Sequence, residues 1–242
     1  MIKNFISVIL ILIFVYAGAG YGLTGSELFR MGTVGPNLVI SEVYNGMTVA
    51  GMAALYNPAG MALNNQFDLG FKYGAMTFDR TLAQVYAGTF FKGIGGFGLT
   101  YLSTGLDGIE SADAYGNDTG NKSYSDSAFV LSYGYSLLED LDIGVNVKYS
   151  MSELAGVEAS GIGFDVGCVY SLVNEGFFKD SKIQLALSDV YATKKWDTDT
   201  RYTSPLGIKL GLNLPLFYRR LLLSLDGEST AKFSKALFKT EN

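Results

Sequence analysis

Lys72, Asp142, Asn146, Lys148, Asp165 and Lys209 each occupy the polar slot of a two-residue alternation, with apolar side chains immediately before and after. Successive side chains of a strand point to opposite faces, so these six share a face with the glycines and serines around them and not with the apolar residues between. In a water-filled interior such groups could set the selectivity of a passage, bind an internal plug or simply hydrogen-bond to one another. No catalytic constellation accompanies them. The chain has no histidine, which removes the commonest general base and metal ligand. Its single cysteine, Cys168, falls on the apolar face of its run and reads as a small hydrophobe. Asp113, Asn117 and Asp118 only loosely suggest a calcium loop, because their spacing does not fit the helix-loop-helix type. No catalytic residue, metal or cofactor is therefore expected, and the net charge of -5 argues against a nucleic-acid partner.

The elements that would carry these residues are strands. Leu141, Ile143, Val145, Val147 and Tyr149 alternate with Asp142, Gly144, Asn146, Lys148 and Ser150. The same rhythm recurs at Phe67–Gly74, Phe129–Ser136, Ile162–Tyr170 and Leu206–Asn213. Nine strands are expected, over about 67–77, 82–91, 96–104, 126–137, 141–151, 160–171, 182–189, 204–213 and 220–227. Most are longer than the roughly 5–6 residues of an ordinary strand and match the roughly 9–11 needed to cross a bilayer at a tilt. Tyr73, Tyr149 and Tyr170, on the apolar face near strand ends, fit an aromatic girdle at the membrane interface.

A soluble sandwich would also alternate. Three features favour a membrane barrel instead. Charged residues make up only 17% of the 242-residue chain, against about 25% in soluble domains. The polar face carries Gly, Ser, Asn and Thr rather than Lys and Glu. The chain also opens like an export signal: Lys3, then the apolar run Phe5–Tyr16, then Ala17-Gly18-Ala19 as a cleavage site. That run is shorter than the roughly 20 residues of a spanning helix. The expected organisation is a cleaved signal peptide over 1–19, an N-terminal plug or periplasmic segment over 20–65, barrel strands over 66–230 and a polar tail over 231–242. Short turns, at Lys92–Gly95, Leu138–Asp140, Val173–Ser181 and Pro215–Arg219, would face the periplasm. The longer loops Gly105–Asp126, Ser152–Ala159 and Val190–Thr203 would face outside.

Within the N-terminal segment a short helix is expected to end near Tyr56, with a tight turn at Asn57-Pro58-Ala59-Gly60, because the residue before proline avoids helical backbone. The run Ala54–Ala62 resembles the Asn-Pro-Ala-Gly signature of FadL-like outer-membrane proteins, in particular the PorV/PorQ family. Later blocks follow in the family's order: Thr100-Tyr101-Leu102, Asp107-Gly108, Tyr115-Gly116-Asn117, Thr119-Gly120, Leu141–Tyr149 and Ala159–Gly167. The resemblance spans about Gly46 to Leu225. It implies an all-β, antiparallel transmembrane β-barrel of the bacterial outer membrane, with a short N-terminal helical plug at the periplasmic mouth. It also implies passage of small hydrophobic compounds or, alternatively, a PorV-like part in type IX-like secretion that binds cargo or partner proteins. A structural outer-membrane protein is the second alternative. The partners implied are outer-membrane lipid and either a small hydrophobic substrate or secretion-system proteins. One departure stands out: bacterial single-chain barrels have even strand numbers, and family members have about fourteen. Nine strands and a polar tail without a terminal aromatic strand lead to the expectation of an incomplete barrel, truncated within the tail.

Overall fold

The computed structural model describes residues 55–63, 66–75, 79–173, 180–216 and 221–231. The expected signal peptide, most of the 20–65 segment and all but the first residue of the 231–242 tail lie outside them. Leu55 and Tyr56 are helical and lead into a 3-10 helix over Pro58–Leu63. Among the described residues ten strands follow: β1 (Asp68–Ala75), β2 (Arg80–Phe91), β3 (Gly95–Ala112), β4 (Asp118–Ser136), β5 (Leu141–Leu154), β6 (Val157–Val173), β7 (Ser181–Trp196), β8 (Arg201–Thr203), β9 (Leu206–Leu216) and β10 (Leu221–Ala231). They form one sheet in the order β1-β2-β3-β4-β5-β6-β7-β9-β10, with β8 paired to β7. Every pairing is antiparallel. The eight reversals along that path make the edge strands β1 and β10 run in the same direction.

The alternation of the sequence is kept, and it is turned inside out relative to a soluble protein. On β5, Asp142, Gly144, Asn146, Lys148 and Ser152 are buried, whereas Ile143, Val145, Val147 and Tyr149 are exposed. Leu69, Phe71, Leu99, Phe129, Leu131, Ile162 and Phe164 are likewise exposed. A sandwich buries its apolar faces; this sheet presents them outward and folds its polar face in.

The sheet curls around its inner face. Tyr56 packs on Tyr86 of β2, and its ring lies under Lys209 Nζ of β9, 5.5 Å from the centroid. In a flat sheet β2 and β9 would stand six ladder steps apart, about 29 Å at the usual strand spacing. One side chain reaches both only because the sheet bends around it.

Several expected loops are strand. The pairing of β3 with β4 continues past Leu106↔Tyr124 to Ile109↔Lys122, Glu110↔Asn121 and Ala112↔Asp118, so most of Gly105–Asp126 is a two-stranded ribbon. Both of its faces are solvated, so hydrophobic alternation is silent there; the backbone ladder and a 2.6 Å Ser111–Thr119 hydroxyl bond hold it. Ser152–Ala159 shrinks to the turn Ala155-Gly156, with φ of 52° and 82°, the left-handed pair of a type I′ hairpin. β7 runs on to Trp196, past the expected end at 189, and β8 falls inside the expected loop Val190–Thr203, which raises the strand count from nine to ten.

Candidate functional site

The inner face holds the Pro58–Leu63 helix, and the sequence provides for it twice. Asn57 is fully buried: its Oδ1 accepts from Ala59 N at 3.0 Å, and its carbonyl accepts from Gly60 N at 3.0 Å, closing the turn that Asn-Pro begins. Its Nδ2 donates to Cys168 O at 3.1 Å on β6, to Leu185 O at 3.5 Å and to Gln184 Oε1 at 3.4 Å on β7. Opposite, each of four consecutive strands contributes a glycine. A Cβ at Gly96 would strike Met61 O, one at Gly134 would lie 2.6 Å from Ala62 N, one at Gly144 would strike Pro58 O and Ala59 N, and one at Gly167 would strike Asn57 Oδ1. At Gly96, Gly134 and Gly144 main chain lies against main chain, which only glycine permits, and at Gly167 the Asn57 side chain fills the place of a Cβ. The four positions of the turn motif, Asn57, Pro58, Ala59 and Gly60, are all buried against this wall.

Beside it lies a charged cluster. Lys148 Nζ contacts Asp165 Oδ1 at 2.6 Å and Asp189 Oδ1 at 2.5 Å. Asp165 also accepts from Asn146 Nδ2 at 3.0 Å and from the backbone N of Asp189 at 2.8 Å. All four residues are buried. A bulge puts Asp189 there. Phe164 pairs with Tyr191 and Val166 with Leu187, so Asp165 alone faces Ser188–Val190, and Asp189 takes the left-handed φ of 56°. Two carboxylates share one ammonium, an arrangement that only dense hydrogen bonding makes tolerable away from water.

Further along the same face toward the β5–β6 turn, Ser152 Oγ donates to Asp126 Oδ1 at 2.6 Å, and Lys194 Nζ lies 2.5 Å from Ser152 Oγ and 3.4 Å from Asp126 Oδ1. At the opposite end Ser136 Oγ donates to Asp142 Oδ1 at 2.6 Å. Of the six polar residues singled out from the sequence, Asn146, Lys148 and Asp165 come together. Asp142 lies at one end of β5, and Lys72 and Lys209 stand apart on β1 and β9. Asp126, Ser152 and Lys194 were missed because they fell in segments read as strand ends and loops. Asp189 was missed because a bulge leaves no periodic trace.

The inner face is not uniformly polar. Leu82, Leu102, Ala128 and Val130, from β2, β3 and β4, form a buried apolar cluster against which Leu55 packs. The inside therefore has an apolar patch on β2–β4, beside the buried Thr100, Thr104 and Asp126 of the same strands, and a charged wall on β5–β7.

Outside, Tyr73, Tyr149 and Tyr170 are exposed on the apolar face. Register puts Tyr73 and Tyr149 in the half of the sheet nearer the long ribbon, whereas Tyr170 pairs with Leu141 at the opposite end. At that end the sequence reading missed a cluster: Phe97 lies 6.0 Å from Phe91 and 5.0 Å from Tyr133, ring centroid to centroid. The ribbon tip is bound up in itself. Asp113 Oδ1 accepts from the amides of Tyr115 and Asn117 at 2.9 Å each, and Asn117 Nδ2 donates to Asp113 Oδ2 at 2.9 Å. The side-chain bond from Asn117, followed by the backbone amides, holds the Asp113 carboxyl below its ordinary value.

No protein-family model, curated protein or solved structure matches this chain.

Proposed function

We propose that this chain is a FadL-like outer-membrane β-barrel protein that passes small hydrophobic compounds across the bacterial outer membrane. The observation that carries the reading is the apolar patch inside an otherwise polar interior: Leu82, Leu102, Ala128 and Val130 give a hydrophobic solute a path that a purely wet channel would lack. The outward apolar face supports the membrane part of the reading. β2 to β7 have 12 to 19 residues, at or above the roughly 9–11 that a tilted crossing requires. The helix over Pro58–Leu63, seated against glycines of β3–β6, is the natural obstruction, and passage would require it to shift. Lipid is then the partner of the outer face, and the exported chain reaches it behind a cleaved signal peptide.

The test is uptake of a radiolabelled alkane by liposomes carrying the full-length protein. Uptake above protein-free liposomes is expected; none would remove the transport reading. A second reading, as a PorV-like component that binds cargo or partner proteins in a type IX-like system, is favoured by the ribbon of β3 and β4, whose tip exposes Tyr115 at 91%. Co-purification of secretion-system proteins with the wild type but not with a ribbon-shortened variant, in the absence of uptake, would favour it. A purely structural barrel would show neither.

A further inference from the structure

Gln84 is 2% exposed, yet among the described residues neither its Nε2 nor its Oε1 has a hydrogen-bond partner. It lies on the inner face of β2 between Leu82 and Tyr86. Its register partner on β3 is Leu102, whose own partner on β4 is Ala128. The side chain therefore borders the apolar patch that packs on Leu55. Burying both halves of an amide without partners is costly, and proteins rarely do so without a reason. A leucine would fill this position more stably.

Resting on the passage of small hydrophobic compounds proposed above, the geometry points to Gln84 as the residue that recognises the head group of an uncharged amphiphile whose tail lies along Leu82, Leu102 and Val130. Both unpartnered atoms must be matched. Oε1 needs a donor and Nε2 an acceptor, side by side, which a carboxamide or an undissociated carboxylic acid presents. An ionised carboxylate matches only Nε2 and sets its charge against the Oε1 lone pairs, beside a patch that solvates ions poorly. Lys72 is the cross-strand partner of Gln84 on β1, so an anionic head is the alternative that the experiment must separate.

Equilibrium binding of dodecanamide, dodecane and, at alkaline pH, dodecanoate to the full-length protein in nanodiscs makes the test, with empty nanodiscs subtracted. Dodecanamide is expected to bind about tenfold more tightly than the other two, the worth of a well-matched pair of buried hydrogen bonds. Gln84→Leu should erase that preference and leave dodecane binding in place. Gln84→Glu should lose the amide preference as well, and heat-modifiable migration on gels reports whether each variant folds. An amide preference that survives Gln84→Leu would overturn the assignment. So would tighter binding of dodecanoate that Lys72→Met abolishes. Dodecane binding with no amide preference would defeat this assignment and spare the transport reading, whereas loss of all three ligands would defeat both.

Discussion

Lys148 of β5 and Asp189 of β7 meet at 2.5 Å although β6 runs between their strands. The bulge at Asp189 and the intervening Asp165 make this possible, and the result is a buried link across three strands. Removing Lys148 leaves two carboxylates buried with no cation between them. Lys148→Met should therefore destabilise the folded protein by about 3–5 kcal/mol. Urea titration of the protein in vesicles, followed by gel mobility, measures it. Adding Asp165→Asn and Asp189→Asn to Lys148→Met should recover most of the loss; a Lys148→Met single variant as stable as the wild type would contradict the buried link.

Val145 is 44% exposed on the outer face of β5. In water, arginine there would be close to neutral. In a bilayer, Val145→Arg should cost about 2–4 kcal/mol if the site lies near the midplane. The same vesicle titration reads the difference, and a neutral result would argue that this face meets water.

The glycine wall makes a positional prediction. Gly144→Ala drives a methyl group onto the main chain at Pro58 and Ala59, which has no side-chain freedom to yield. An overpacking cost of about 1–3 kcal/mol is expected, relieved by the 3-10 helix shifting from its seat. A cysteine at Ala59 should then label faster with a water-soluble maleimide. Gly105→Ala meets only ordinary contacts, the nearest at 3.6 Å from Tyr124 O, and should leave labelling unchanged.

The tip of the ribbon should respond to acid. Because the Asp113 carboxyl is held below its ordinary value, the ordering that it gives the tip is fully present above the usual carboxylate range and is lost as pH falls through its depressed pKa. Carboxyl-carbon NMR should show Asp113 titrating below the ordinary aspartate value. Asn117→Ala removes the largest contribution and should raise the midpoint toward that value; an unchanged midpoint would discount the bond.

Much of this arrangement was legible in the residues. Alternation along Leu141–Tyr149 gave both the strand and its two faces, because the side-chain period of a strand is fixed at two. Together with the run Ile162–Tyr170 it also separated Asn146, Lys148 and Asp165 from their apolar neighbours. Asn57 announced a turn through the proline that follows it. What stayed hidden has physical causes. The ribbon beyond Leu106 has no apolar face, so its pairing is written in backbone hydrogen bonds that any side chain permits. Asp189 reaches the cluster through two added residues in β7, which no periodic reading anticipates. Gln84 looks like any other polar alternate until its neighbours across β3 and β4 prove to be Leu102 and Ala128, a matter of register rather than composition.

Tyr56 precedes all the described strands, yet it ends between Tyr86 near the sheet's beginning and Lys209 near its end. The contact with β9 can complete only once β2 and β9, near opposite ends of the strand path, are both in place. Seating the segment and curling the sheet are then a single, slow, long-range event in assembly. Variants that loosen Tyr56 should therefore be recognised first by slowed assembly of the sheet.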